Sequence, residues 1–188
     1  MRLFAFATFL AFNALASSGA PIPRKAPEFT IVDSNGKQTL LSGLKGKVVV
    51  MEFLDTTCPH CQHASLMLTA LHQQLGPRGF QPIGIAAYNN ARQQVLGFIQ
   101  QFSPSYPIGI STNETVINFL GFSLMDRVMV PQIAVIDRKG VIRAQSPVQS
   151  DKNLQDQTYL HDLIDSLLKE GERAIPAKKS TAVPKKTT

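Results

Sequence analysis

The chain of 188 residues holds two cysteines, Cys58 and Cys61, with Pro59 and His60 between them. A disulfide across this span closes almost no loop, so it would constrain the unfolded chain little and contribute little stability. The pair suits chemistry instead: one thiolate attacks and the other thiol resolves the mixed disulfide. His60 can donate a hydrogen bond or a positive charge to the Cys58 thiolate, which would stabilise the reduced form. Glu52 lies six residues before Cys58, in an apolar run where an unpaired carboxylate is costly and its pKa is driven up. A plainer reading pairs Glu52 with a lysine such as Lys47 on an exposed strand edge.

Positioning these groups requires a strand, a turn and a helix. Val48 to Leu54 reads as a buried strand, and Ala64, Met67, Leu68, Leu71 and Leu75 mark one face of a helix that stops at Gly76-Pro77. Pro59 suits the first helical position, where a missing N–H costs nothing. Cys58 then caps the helix, its sulfur beside unpaired N–H groups and the positive end of the dipole, and its thiolate is favoured. Cys61 is shielded one turn inside.

Elsewhere, Phe29–Val32 and Lys37–Leu40 flank Asn35-Gly36, whose positive φ angles suit a hairpin turn. Phe80 to Tyr88 is a strand, and the helix after Asn89-Asn90 carries Ala91, Val95, Phe98, Ile99 and Phe102 on one face. Tyr106 to Ile110 is a short strand, and Ser111 with Glu114 has capping-box spacing. Gln132–Asp137 and Val141–Gln145 form a hairpin placed at the sheet edge, and a last helix buries Leu160, Leu163, Ile164, Leu167 and Leu168 and ends at Gly171. The alternation implies an α/β fold with a largely parallel sheet covered on both faces.

The stretch from Ala26 to Cys61, with Ala26-Pro27-Glu28-Phe29, Gly36-Lys37, Leu44-Lys45-Gly46-Lys47-Val48-Val49 and Cys-Pro-His-Cys, resembles the TlpA/ResA-like branch of the thioredoxin superfamily. The resemblance extends to about Leu168 and implies a thioredoxin-like fold: a central mixed sheet with helices on both faces, an N-terminal β-hairpin, and a βα insertion at about Asn89 to Leu120. It implies a thiol-disulfide oxidoreductase in which Cys58 and Cys61 form the redox-active disulfide. Pro131, after Val130, matches the cis proline that faces the cysteines in such proteins, leaving the Val130 backbone to pair with a substrate peptide. Glu52 matches their buried carboxylate, which carries protons to and from the inner sulfur. Cys-Pro-His-Cys and Val130 are DsbA-like, which implies an oxidase or isomerase, whereas the rest resembles a reductase such as those of cytochrome c maturation. The family's usual Trp before the first cysteine is Thr57, and the carboxylate three residues after the second in ResA is Ala64.

Met1 to Ala16 reads as a secretory signal peptide: Arg2, an apolar stretch from Leu3 to Leu15, and Ala14-Leu15-Ala16 as the cleavage site. The run is short of the roughly 20 residues that span a bilayer. Export implies a periplasmic or other extracytoplasmic place where a disulfide persists. Ser17–Lys25 is a lead-in, residues 26–171 form one thioredoxin-like domain, and residues 172–188 a disordered basic tail. Lys178, Lys179, Lys185 and Lys186 carry four of the six net positive charges, so the folded part is nearly neutral and no nucleic-acid role is indicated. The tail is suited to solvation, or to attraction by an anionic membrane or cell wall. The expected partners are cysteine-containing envelope proteins and a membrane electron donor or acceptor, with no cofactor.

Two other classes fit less well. A peroxiredoxin needs Pro seven and Thr three residues before its cysteine, where Met51 and Asp55 stand. A copper chaperone of the Sco type uses a spacing one residue longer, although Cys58, Cys61 and His63 offer soft ligands. His63 and His72 read as surface residues.

Overall fold

In the computed structural model the described residues are 19–88 and 90–173. The expected signal segment and most of the basic tail lie outside them.

The strands are β1 (Arg24–Lys25), β2 (Thr30–Asp33), β3 (Gln38–Leu40), β4 (Val48–Leu54), β5 (Phe80–Ala86), β6 (Ile108–Ile110), β7 (Gln132–Ile136) and β8 (Val141–Gln145). The helices are α1 (Pro59–Leu75), α2 (Ala91–Phe102), α3 (Asn113–Leu120) and α4 (Gln157–Arg173). One eight-stranded sheet has the order β1-β8-β7-β4-β5-β6-β2-β3. Among the described residues, only β4–β5 and β5–β6 pair in parallel. The other pairs are antiparallel, so the sheet is mixed rather than largely parallel. The reason is tertiary: the chain returns through β7 beside β4 in the opposite direction, and the β2–β3 hairpin folds onto β6. The β7–β8 hairpin is not the edge either, since β1 covers β8 and β7 lies inside next to β4.

Each residue of β4 is buried, because this strand has neighbours on both sides and helices on both faces. Val48, Val50 and Leu54 pack with the apolar stripes of α1, α2 and α4, among them Leu68, Leu71, Val95, Phe98, Leu160 and Ile164. Val49, Met51 and Phe53 pack on the other side with Phe29, Ile31 and the Val116, Ile117, Phe119 and Leu120 of α3. Burying each such side chain contributes roughly 1.5–3 kcal/mol, which makes β4 and α1 the rigid base from which the cysteine loop projects.

Several local signals shift on folding. In the first turn only Gly36 has positive φ (82°), and Asp33 closes it by accepting from the N–H groups of Asn35 and Lys37. The cap of α3 is Thr112, whose hydroxyl accepts from Thr115 N–H, and not Ser111, whose N–H still bonds Ala86 in the sheet. The last helix runs on to Arg173, beyond the expected helix end at Gly171. A glycine inside a helix costs only about 1 kcal/mol.

Candidate active site

The site stands at the C-terminal end of β4. Asp55 builds the loop that follows: its Oδ1 accepts from Thr57 N–H at 2.9 Å and Thr57 Oγ1 at 2.8 Å, and its carbonyl accepts from Cys58 N–H at 3.1 Å. Thr56 ties the same loop outward, donating from Oγ1 to Gln94 Oε1 of α2 at 2.8 Å and accepting on its carbonyl from Gln62 Nε2 at 3.0 Å. The chain therefore enters α1 at a fixed angle. Cys58 is its extended N-cap residue, with Pro59 first in the helix.

Both cysteines are free thiols; Cys58 is partly exposed and Cys61 wholly buried. Burial, followed by the charge of Glu52, pushes the Cys61 thiol well above its ordinary range. The outer sulfur is therefore the accessible one, and the inner sulfur needs a proton acceptor before it can react. The Val130–Pro131 peptide is cis, and Cys58 Sγ lies 4.0 Å from the Val130 carbonyl oxygen. Among the described residues the Val130 N–H has no hydrogen-bond partner. His60 is exposed, and among the described residues its side chain makes no hydrogen bond or ion pair.

Glu52 is fully buried on the α1 face of β4, and Lys47 donates instead to Gln81 at 3.1 Å. Its Oε2 accepts from Ser65 Oγ at 2.7 Å and from Tyr106 OH at 3.4 Å, while Oε1 is buried and unpartnered among the described residues. Desolvation outweighs the two hydrogen bonds and raises the carboxyl pKa to about 8. Sequence reasoning missed both partners. Ser65 lies four residues after Cys61, on the helix face that carries Ala64 and Leu68, and this placement alone could have flagged it. Tyr106 arrives from the segment before β6. On β5, the residue opposite Glu52 is Gly84, where a Cβ would come within 2.4 Å of Ile108 Cδ1 and 3.6 Å of Tyr106, so a bare glycine makes room for that approach.

The loop that presents Val130 is held from behind. Gln132 Nε2 donates to the carbonyls of Met129 at 2.6 Å and Pro147 at 3.0 Å, and Ser150 Oγ donates to the Pro131 carbonyl at 2.6 Å. Tyr88, near enough for its charge to be coupled to Cys61, has its own hydroxyl pushed up to about 12 by burial. His63 is exposed, but His72 is half-buried: its Nδ1 pairs with Ser105 Oγ at 2.9 Å and burial lowers its pKa. Among the described residues no three His, Cys, Asp or Glu side chains gather into a metal site, and no helix is long and apolar enough to cross a membrane.

The chain has relatives among known proteins. The family model described as Redoxin matches residues 23–163. The chain is 27% identical over 124 residues to the thiol-disulfide oxidoreductase ResA of Bacillus thuringiensis, covering 66% of this chain and 68% of that one. It is 24% identical over 147 residues to ResA of Bacillus subtilis, with 78% and 75% covered. Among solved structures it is similar to a candidate protein disulfide isomerase of Bacteroides thetaiotaomicron (TM-score 0.68, 27% identity, 84% of this chain and 98% of that one). A thiol:disulfide interchange protein of Chlorobium tepidum shares the fold (TM-score 0.64, 24% identity, 79% and 99% covered).

Proposed function

Because the chain belongs to the Redoxin family and is a thiol-disulfide oxidoreductase with a thioredoxin-like fold, we propose that it works outside the cytoplasm, exchanging its Cys58–Cys61 disulfide with cysteines of envelope proteins, and leans to the oxidase or isomerase direction. The observation that carries this reading is the pairing of a partly exposed Cys58 at the start of α1 with a wholly buried Cys61 behind it. The helix start stabilises the outer thiolate. The inner sulfur is reached only from within the protein, so a mixed disulfide forms at Cys58 and is resolved by Cys61.

Glu52 acts as the proton relay for Cys61, and the free N–H of Val130 offers an extended substrate peptide one strand-like hydrogen bond. Export rests on the apolar N-terminal segment and its Ala14-Leu15-Ala16 site. A membrane electron donor or acceptor would reset the couple, and the basic tail would favour an anionic surface. The DsbA-like Cys-Pro-His-Cys argues for oxidation, since any group that stabilises the Cys58 thiolate stabilises the reduced protein.

A second reading, disulfide reduction of the ResA kind, is favoured by the similarity to ResA and by Glu52, whose negative charge opposes the Cys61 thiolate. Equilibration of the Cys58/Cys61 couple with glutathione separates the two. A potential well above the roughly −270 mV of thioredoxin supports the oxidising direction, and one at or below it supports the reductase.

A further inference from the structure

We propose that Ser65 and Tyr106 are positioning residues that clamp the Glu52 carboxyl through Oε2 and thereby set the pH at which it gains and loses its proton. The relay role of Glu52 itself is the reading given above, on which this inference rests.

Three elements meet at this carboxyl. From α1, Ser65 Oγ donates to Oε2 at 2.7 Å. From the segment before β6, Tyr106 OH lies 3.4 Å from the same oxygen and 3.3 Å from the Ser65 carbonyl. Tyr106 therefore bridges Ser65 and Glu52, linking α1 to β4 through a residue brought in by the insertion. The flanking strands contribute nothing charged, since Gly84 of β5 and Ile133 of β7 stand opposite Glu52. The titratable groups that face it are thus Cys61 and Tyr106, with Tyr88 coupled to Cys61 and His72 edge-on to Tyr106 at 6.4 Å.

A buried carboxylate with no donors stays protonated far above neutrality, and such a group could never accept a proton near pH 7. Donors aimed at one oxygen stabilise the charged form and bring the midpoint back within reach. Ser65 and Tyr106 occupy Oε2, and Oε1 is left without a protein partner among the described residues. One oxygen anchors the group and the other is available to the proton.

The step balances in both directions. When the protein reduces a substrate, the Cys58 thiolate attacks a substrate disulfide, bonding one sulfur and expelling the other as thiolate. Cys61 gives its proton to Glu52, attacks Cys58 Sγ and releases the first substrate sulfur, so two electrons pass to the substrate. When the protein oxidises, a substrate thiolate attacks Cys58 of the disulfide and Cys61 leaves as a thiolate that takes the proton from neutral Glu52. A second substrate thiolate then displaces Cys58, and two electrons pass to the protein.

The test is a carbon-13 NMR titration of the glutamate carboxyls in the reduced full chain, with Glu52→Gln identifying the resonance, compared among wild type, Ser65→Ala and Tyr106→Phe. The Glu52 midpoint should rise by about one pH unit in Ser65→Ala and by less in Tyr106→Phe, whose bond is longer. A midpoint that stays or falls in both variants overturns the clamp, and a rise in Ser65→Ala alone overturns the part given to Tyr106. Turnover against pH is recorded on the same proteins. If the NMR midpoint moves and the rate profile does not follow, the clamp stands and the relay reading of Glu52 fails.

Discussion

Cys58 Sγ faces the carbonyl oxygen of Val130 across 4.0 Å, so a substrate sulfur joined to Cys58 brings its own backbone against the segment that precedes Pro131. On the proposed function, attack at Cys58 and docking at Val130 would be one event. Cys61, with no exposed surface, takes no part until the mixed disulfide exists.

It follows that Cys61→Ser should accumulate mixed disulfides with substrate proteins and that Cys58→Ser should not. Iodoacetamide at mildly acidic pH should label Cys58 well before Cys61, since burial holds the inner thiol protonated and out of reach of the reagent. Faster labelling of Cys61, read by peptide mass, would reverse the two roles.

Glu52→Gln keeps size and one hydrogen-bonding oxygen but removes the proton relay, so turnover should fall by a factor on the order of 10² or less with the fold intact. Stopped-flow disulfide exchange measures it. An unchanged rate from acid to alkaline pH would return Glu52 to a structural role.

The same substitution should alter stability against pH. The folded carboxyl has its pKa raised to about 8 from an ordinary 4.5, so between these values the native state binds a proton that the unfolded chain does not. The stabilisation is fully present below pH 4.5 and is lost as pH rises through about 8. The slope contributed by this group is about 1.4 kcal/mol per pH unit, and it should be absent in Glu52→Gln. Urea midpoints measured across that window would detect its persistence in the variant, which would point to another group.

On the reading that His60 lends charge or a hydrogen bond to the neighbouring thiolate, His60→Pro should make the couple more reducing. A potential unmoved by this change would remove His60 from the site.

Gln132→Leu deletes the amide that supports the Met129 and Pro147 carbonyls behind the Val130 loop. The Pro147 carbonyl still accepts from Ser150 N–H at 2.8 Å, so the Met129 carbonyl is the acceptor left without a partner. This should cost about 1–3 kcal/mol, and KM for a peptide substrate should rise more than kcat falls. Equal loss in both constants, or none, would show that the loop holds its place without Gln132.

What could be read from the sequence was what local periodicity controls. The apolar run Val48–Leu54, the helix face through Leu71 and Leu75, Pro59 at the first helical position and Cys58 as the cap each depend on residues within one or two turns of each other. Period-two alternation puts Glu52 on the same face as Val50 and Leu54, but only the packing shows that this face meets α1. Tertiary structure decided what must be met across long separations. Tyr106 reaches Glu52 over 54 residues of chain and Ser65 over 41, and the Val130 carbonyl meets Cys58 over 72. It also decided that β7 runs antiparallel beside β4, because strand direction follows the path of the whole chain and leaves no mark in the pattern of one strand. The pair of sulfurs was thus legible from side-chain chemistry and spacing. The hydrogen-bond partners of Glu52 were not, because they meet it only where α1, β4 and the segment before β6 are packed together.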